Sequence, residues 1–290
     1  MEVFHAQTQL KEHLESIISS KKTIGFVPTM GAIHQGHLSL LQQALNQNDV
    51  VVVSIFVNPT QFNNQQDLDK YPRTLERDVA LIKMLSDNII VYAPTVDDIY
   101  NGTTIAQKFE YDGLESEMEG ANRPGHFDGV GTIVKMLFEI IKPTNAYFGE
   151  KDYQQLAIIE KLVQKLHLPV KIHGVPIFRE KSGLAMSSRN MRLSPPQHEA
   201  SKVIYETLKK VNDWAVTKPK EVANSLAPLT GLDVVTLEKA LERGGYGINY
   251  LNEKVIAEQQ KIADTFNELK LIPKKLDIKS VVWLPEQKNK

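Results

Sequence analysis

Strand-like and helix-like segments alternate through the first two-thirds of this chain, and their order sets the fold class. Short apolar runs, separated by helical patterns, stand at 22–29, 51–56, 89–94, 145–149 and 170–178. The run VVVSIF is β-branched and apolar on both faces, which is typical of a buried parallel strand. The pattern predicts an α/β fold with a doubly wound, Rossmann-like parallel sheet and right-handed crossovers. Ligands of such sheets bind at the carboxyl ends of the strands.

The pattern becomes largely helical beyond about residue 212. KEVANSLAPL and DVVTLEKALERGG follow each other there with helical spacing. We expect two domains, a Rossmann-like one over residues 1–176 and a smaller one over 177–290.

Composition narrows the possible classes of function. The chain has 34 Lys and Arg against 35 Asp and Glu, a net charge of −1, whereas general nucleic-acid or membrane-surface binders carry a basic excess. The absence of cysteine excludes disulfides, thiolate metal sites and cysteine nucleophiles. The N-terminus has no signal-peptide pattern, and the longest apolar stretch, at 50–57, is too short to span a membrane. We expect a cytoplasmic enzyme.

The segment PTMGAIHQGH, at 28–37, joins a predicted strand to the helix after it. Gly31 and Gly36 let backbone approach a ligand closely, and a helix N-terminus favours phosphate. His34 and His37 lie three residues apart, so both imidazoles can donate to phosphate oxygens as charge develops. The alternative is a turn with two solvated histidines. A zinc site is disfavoured because no third ligand is evident nearby.

Two later segments carry groups that suit phosphate and polar ligands. In GEKDYQQL, at 149–156, Lys151 can reach phosphate as a point charge and Gln155 is a neutral hydrogen-bonding group. In MSSRN, at 186–190, two serine hydroxyls beside Arg189 can wrap a triphosphate. The alternative for GEKDYQQL is a solvated charged turn, and the alternative for MSSRN is an ordinary polar loop.

Polar side chains also follow the strand at 51–56, where FVNPTQF places Asn58 and Gln61 at the ligand-facing end. In RPGHFDG, Arg123 and His126 can contact an anion. Asp78, on a predicted helix, can help to hold Mg²⁺, although a surface carboxylate is the simpler interpretation.

Together and in this order, five segments resemble the pantothenate synthetase (pantoate–β-alanine ligase) family. They are PTMGAIHQGH, FVNPTQF with DLDKYPRTLERD, RPGHFDGV, YFGEKDYQQL and MSSRN, and the resemblance covers residues 1 to about 211. The first segment is this family's form of the HIGH signature of class I tRNA synthetase-like nucleotidylyl transferases. MSSRN is its form of the KMSKS loop.

The resemblance implies an ATP site with His37, His34 and Lys151 as catalytic residues. The ATP-binding residues that it implies are Met30, Gly31, Ala32, Ile33, His34, Gln35, Gly36, His37, Gly149, Glu150, Lys151, Asp152, Phe178, Met186, Ser187, Ser188 and Arg189. Gln61 and Gln155 match the family's pantoate ligands, and Gln61 also borders the β-alanine site. Asn58 and Arg123 are further candidates for this part of the cleft.

The activity implied by the resemblance is the ATP-dependent ligation of pantoate to β-alanine through a pantoyl adenylate. It also implies Mg²⁺ with the ATP, and a homodimer, without nucleic-acid or membrane partners. Two alternatives stay open: a related nucleotidylyl transferase with another acceptor, and a protein that binds ATP without turnover.

The C-terminal region departs from that family. It lacks a run of the TRLIDN type, and its YGI, VIAEQQKIADTF and LIPKKLDI pieces resemble the C-terminal part of periplasmic aliphatic sulfonate-binding proteins. This second resemblance implies a fusion with its seam near 211–213. It puts the family's usual C-terminal lid in doubt.

Overall fold

A computed structural model describes residues 1–230, 232–243, 257, 260–261 and 264. Two compact units divide the chain, Met1–Lys202 and Val203–Lys290. The strands described are β1 (Val3–Phe4), β2 (Ile24–Thr29), β3 (Val50–Ile55), β4 (Ile89–Tyr92), β5 (Asn145–Gly149) and β6 (Lys171–Val175). The α-helices described are α1 (Gln7–Ser19), α2 (Gln35–Gln47), α3 (Gln65–Asp69), α4 (Leu75–Leu85), α5 (Val96–Tyr100), α6 (Met118–Asn122), α7 (His126–Ile141), α8 (Tyr153–Leu166), α9 (Pro195–Thr217), α10 (Pro219–Thr230) and α11 (Val234–Arg243).

The six strands form one parallel sheet in the order β1-β4-β3-β2-β5-β6. The predicted α/β fold is therefore confirmed. β2 pairs with β3 from Ile24 to Thr29, but it pairs with β5 only at Gly25 and Phe26. The strand order reverses at β2, and the carboxyl ends of β2 and β5 separate. This opening is the crevice in which open α/β sheets bind ligands.

Two apolar layers cover the sheet and explain why the first four residues of β3 are all valine. Val52 belongs to the layer that contains Ile133 of α7, whereas Val51 and Val53 belong to the opposite layer with Leu41 of α2. Successive side chains of a strand point to opposite faces, so a strand buried on both faces favours a continuous apolar run over an alternating one.

The second unit is helical where it is described, as expected. α10 and α11 pack together through Ala223, Leu237 and Leu241. α9 continues without a break across 211–213, where the fusion seam is expected. The pieces YGI and LIPKKLDI, and most of VIAEQQKIADTF, lie outside the described residues.

The domain boundary predicted between 176 and 177 stays a prediction. None of the helices in the described part of the chain is long and apolar enough to cross a membrane.

Candidate active site

A cleft opens within the first unit, where β2, β3 and β5 end. It brings together most of the predicted site residues: Met30, His34, Gly36, His37, Asn58, Gln61, Arg123, Gly149, Lys151, Asp152, Gln155, Phe178, Met186, Ser187, Ser188 and Arg189. The other predicted ATP ligands, Gly31, Ala32, Ile33, Gln35 and Glu150, are not among the residues that line it. Segments far apart in sequence thus converge at the sheet edge that the fold class predicts.

The loop between β2 and α2 is held from behind by Asp78 of α4. The backbone N–H groups of Ala32 and Ile33 donate to the two carboxylate oxygens of Asp78, at 2.9 and 2.8 Å. Gly31 and Ala32 both have positive φ, +81° and +50°, a conformation that an alanine rarely adopts without support. Thr74 donates its hydroxyl to the same carboxylate. Asp78 therefore fixes the shape of the loop that precedes the two histidines.

This geometry favours a structural role for Asp78 over the predicted metal ligation. Its side chain is fully buried and both oxygens already accept hydrogen bonds. Among the described residues, no three His, Asp or Glu side chains are grouped to hold a metal ion.

Replacing Asp78 by asparagine should lower the free energy of unfolding by about 1–3 kcal/mol. One oxygen becomes an NH₂ group, so a buried backbone N–H of the loop loses its acceptor. Urea unfolding at pH 7 measures the loss. Asp87→Asn is the control, because Asp87 is mostly exposed. Equal losses in the two variants, or no loss in D78N, would contradict this role.

His34 and His37 stack on each other at the N-terminus of α2. Their ring centroids are 4.0 Å apart, with 20° between the planes. Gly36 makes room for this arrangement, since a Cβ there would lie 2.9 Å from Cε1 of His34. Within the described structure neither Nδ1 atom has a hydrogen-bond partner. Buried polar atoms without partners are costly, so both rings suit a polar ligand that enters the cleft.

Burial keeps both imidazoles neutral. Desolvation, ahead of the repulsion from a protonated His34 and from Lys151, lowers the pKa of His37 to about 3. Burial, and then the charge of Lys151, also lowers the pKa of His34. A bound anion favours the protonated form of a nearby imidazole. Binding of a phosphate group would therefore raise the pKa of both His34 and His37.

The lowered pKa of His37 makes the stability of the fold depend on pH. Below the ordinary imidazole pKa of 6.5, the unfolded chain takes up a proton, but the folded chain does not until the pH approaches about 3. Stability from this group is therefore full above pH 6.5, and a change from pH 7 to pH 5 should remove about 2 kcal/mol. Urea unfolding at both pH values measures the difference.

His37→Gln should reduce this difference between pH 7 and pH 5 by about the same 2 kcal/mol, because it removes the titrating group. The control variant His13→Gln, in α1 and outside the cleft lining, should keep the wild-type difference. A pH dependence that is identical in H37Q and the wild type would show that the His37 pKa is not lowered as described.

Lys151 brings a positive charge to the same part of the cleft. It lies in the single 3-10 turn Glu150–Asp152 between β5 and α8, and its Nζ donates to Oδ1 of Asp152 at 3.0 Å. Its charge contributes to the lowered pKa of both His34 and His37. Lys151, His34 and His37 all line the cleft, where the ammonium charge and the imidazole N–H groups favour an anion.

The loop with MSSRN is tied to the body of the first unit at both ends. The backbone N–H of Met186 donates to the carbonyl of Phe178 at 3.0 Å. Arg189 and Arg192 reach opposite oxygens of Asp67 in α3, at 3.3 and 3.4 Å. These contacts place the serine hydroxyls of the loop along the cleft.

The backbone of Gln61 is held by Arg123 and His126. Its carbonyl accepts a hydrogen bond from Nη2 of Arg123 at 3.1 Å and lies 2.8 Å from Nδ1 of His126. Arg123 also pairs with Glu119. Burial, ahead of the nearby charge of Arg123, lowers the pKa of His126. Arg123, predicted to bind pantoate or β-alanine, therefore supports Gln61 by a hydrogen bond to the Gln61 backbone carbonyl.

The sequence patterns do not reveal the wall and the floor of the cleft. Val130, Ile133 and Val134 of α7 form an apolar wall, and Ser54 and Tyr71 also line the cleft. The Oγ of Ser54 is buried and has no hydrogen-bond partner in the described structure. The spacing along α7 predicts a buried helix face, but it cannot show which part of that face borders a cleft.

The fold and this cleft define a nucleotide-binding α/β enzyme with a HIGH-like histidine pair and a serine-containing loop along the cleft. The family model described as pantoate-beta-alanine ligase matches residues 2–272. The chain belongs to the pantoate–β-alanine ligase family, a family of ATP-dependent ligases. Its match extends well past 211–213, so the fusion expected from the C-terminal pieces is not supported.

Individual proteins of known identity agree with this assignment. The pantothenate synthetase of Flavobacterium psychrophilum is 61% identical over 218 residues, which cover 75% of this chain and 77% of that protein. The pantothenate synthetase of Christiangramia forsetii is 53% identical over 221 residues, covering 76% of this chain and 78% of that protein. A crystal structure of the Francisella tularensis pantoate–β-alanine ligase, complexed with β-γ ATP and β-alanine, is similar with a TM-score of 0.69. It is 39% identical and covers 79% of this chain and 85% of that chain.

Proposed function

We propose that this protein catalyses the ATP-dependent condensation of (R)-pantoate with β-alanine, giving pantothenate, AMP and pyrophosphate. Membership of the ligase family supports the reaction. The assignment of roles rests on one observation. A single cleft is lined by His34, His37, Lys151 and the MSSRN loop together with Gln61 and Gln155.

In the first step, a carboxylate oxygen of pantoate attacks the α-phosphorus of ATP. The bond from that phosphorus to the bridging oxygen breaks, and pyrophosphate leaves with its electron pair. Lys151, Arg189 and the two histidines offset the negative charge that develops on the phosphates, while Ser187 and Ser188 donate hydrogen bonds. Positioning and charge stabilisation suffice for this step, and no protein nucleophile takes part.

In the second step, the amine of β-alanine attacks the acyl carbon of the pantoyl adenylate. The acyl C–O bond breaks, AMP leaves with that electron pair, and the nitrogen releases a proton to solvent as it becomes the amide. Gln61 and Gln155 are neutral, so they can orient the oxygens of pantoate without the charge pairing that would make its carboxylate a poorer nucleophile. The apolar wall from α7 suits the hydrocarbon part of pantoate and excludes water from the adenylate.

Mg²⁺ is part of the proposal only as the counter-ion that ATP brings, where it would neutralise phosphate charge. The buried, hydrogen-bonded carboxylate of Asp78 does not suit it, and we assign no protein ligand. A homodimer and a cytoplasmic location are also proposed, on the family resemblance and on the need for ATP.

Exchange of labelled pyrophosphate into ATP tests the adenylate step by itself. We expect exchange that requires pantoate and proceeds without β-alanine, because the first step is complete before the amine enters. Exchange without pantoate, or with another carboxylic acid in preference to it, would favour a related nucleotidylyl transferase with a different acceptor.

A further inference from the structure

The side chain of Asn58, just after β3, is buried and makes all the hydrogen bonds that its amide can make. Its Oδ1 accepts from the Tyr100 hydroxyl at 2.6 Å and from the Thr60 hydroxyl at 3.1 Å. Its Nδ2 donates to the backbone carbonyl of Gly129 and to Oε1 of Gln61, both at 3.1 Å. An amide has two N–H donors and one oxygen with two lone pairs, so this side chain is saturated.

The carbonyl of Gly129 fixes the direction of every hydrogen bond in this set. A backbone carbonyl can only accept, so the Asn58 atom beside it must be the amide nitrogen. That nitrogen can only donate, so the Gln61 atom that it faces must be Oε1. The other end of the Gln61 side chain is therefore its NH₂ group, which donates one N–H to the sulfur of Met30 in the cleft lining, at 3.1 Å.

The close approach of two backbones makes this set rigid. A Cβ at position 129 would lie only 2.4 Å from the carbonyl oxygen of Thr60, so only glycine allows α7 to pack on the turn Pro59–Gln61. Tyr100, at the C-terminus of α5, is buried and stands at the far end of the hydrogen-bond chain. Burial raises the pKa of its hydroxyl, which therefore stays protonated and able to donate.

We propose that Tyr100, which does not line the cleft, is a positioning residue for the ligation: it holds Asn58 so that Gln61 presents N–H donors to an oxygen of pantoate. This inference rests on the proposed function. Beyond that function, it specifies that Gln61 donates its hydrogen bond to pantoate and that Tyr100 sets this direction. Without the Tyr100 hydroxyl, Oδ1 of Asn58 keeps only the longer bond from Thr60, and the amide pair is less well oriented.

Tyr100→Phe tests this role in the full-length enzyme, with pantoate and ATP varied separately. We expect the KM for pantoate to rise about three- to tenfold, the effect of one hydrogen bond, while the KM for ATP stays within twofold. Tyr111→Phe is the matched control. Tyr111 is also buried, and it donates its hydroxyl to the carbonyl of Phe127, outside the Asn58 set. Y111F should leave the KM for pantoate unchanged.

Asn58→Asp is a stronger test of the direction of the hydrogen bonds. A carboxylate cannot donate to Oε1 of Gln61, so the Gln61 amide should turn its NH₂ towards Asp and its oxygen towards pantoate. Calorimetry should show ATP binding retained and pantoate binding weakened at least tenfold. Wild-type pantoate affinity in both Y100F and N58D, or parallel rises in both KM values for Y100F, would overturn the inference. A wild-type enzyme that makes no AMP from the two substrates would instead overturn the proposed function.

Discussion

Replacing Lys151 by alanine should lower kcat/KM for AMP formation by about 10²–10³-fold, the usual loss when one group that stabilises transition-state charge is removed. Lys151 lines the same cleft as His34 and His37, and its charge lowers the pKa of both rings. The α-phosphorus gains negative charge as pantoate attacks, and both imidazoles are neutral in the empty site. Lys151 is therefore a permanent positive charge beside the two neutral histidines.

Lys165→Ala is the matched control for this prediction. Lys165 lies in α8, its side chain is as exposed as that of Lys151, and it too pairs with an aspartate, Asp112. Steady-state assays at saturating pantoate and β-alanine should show wild-type kcat/KM for ATP in K165A. If K151A kept wild-type activity, or if both variants lost activity equally, the assignment of Lys151 to the phosphates would fail.

Replacing Gln61 by glutamate should raise the KM for pantoate by about 10²-fold or more. The side chains have the same shape, but the NH₂ donor becomes a carboxylate oxygen that faces the carboxylate of pantoate, and such like-charge contacts cost several kcal/mol. In the proposed arrangement the phosphates of ATP bind beside Lys151 and the MSSRN loop, so the KM for ATP should change little. Initial rates with pantoate varied at fixed ATP measure the effect.

Gln42→Glu is the control for the Gln61 variant. Gln42 is on the exposed face of α2, where its amide bonds to Asn46. The Q42E variant makes the same change of charge outside the cleft, and it should leave the KM values for pantoate and for ATP unaltered. A Q61E enzyme with normal affinity for pantoate would mean that Gln61 does not donate to the substrate.

The fold was predictable because its main determinants are local and repeated. The β-branched run at β3 and the helical spacing along α7 indicate strands and helices at the right places, and their alternation predicts the parallel sheet. β1 is missed because two residues are too few to show a period. α1 is missed although Leu10 and Leu14 are buried on one face. α7 begins at His126, earlier than the apolar spacing from Val130 predicts, because Gly125 with a positive φ forms its N-cap.

The candidate site likewise has residues that the sequence predicts and contacts that it does not. Residues in loops at the carboxyl ends of strands, such as His34, Lys151 and Gln61, are predictable because the sheet brings those ends together. The partners of those residues are not. Asp78 is taken for a surface carboxylate or a metal ligand because nothing in the sequence of α4 shows that a loop lies against it. Tyr100 meets Asn58 only through the packing of α5, and no spacing pattern records that contact.

AMP formation from Mg-ATP is the measurement that tests the central claim most directly. The purified protein is given ATP with pantoate alone, with β-alanine alone, and with both substrates. We predict sustained AMP production with the two substrates together, pantothenate in equal amount, and no more than one equivalent of AMP per site with either substrate alone. Sustained AMP production without β-alanine, or none with both substrates in a folded protein that binds ATP, would contradict the account.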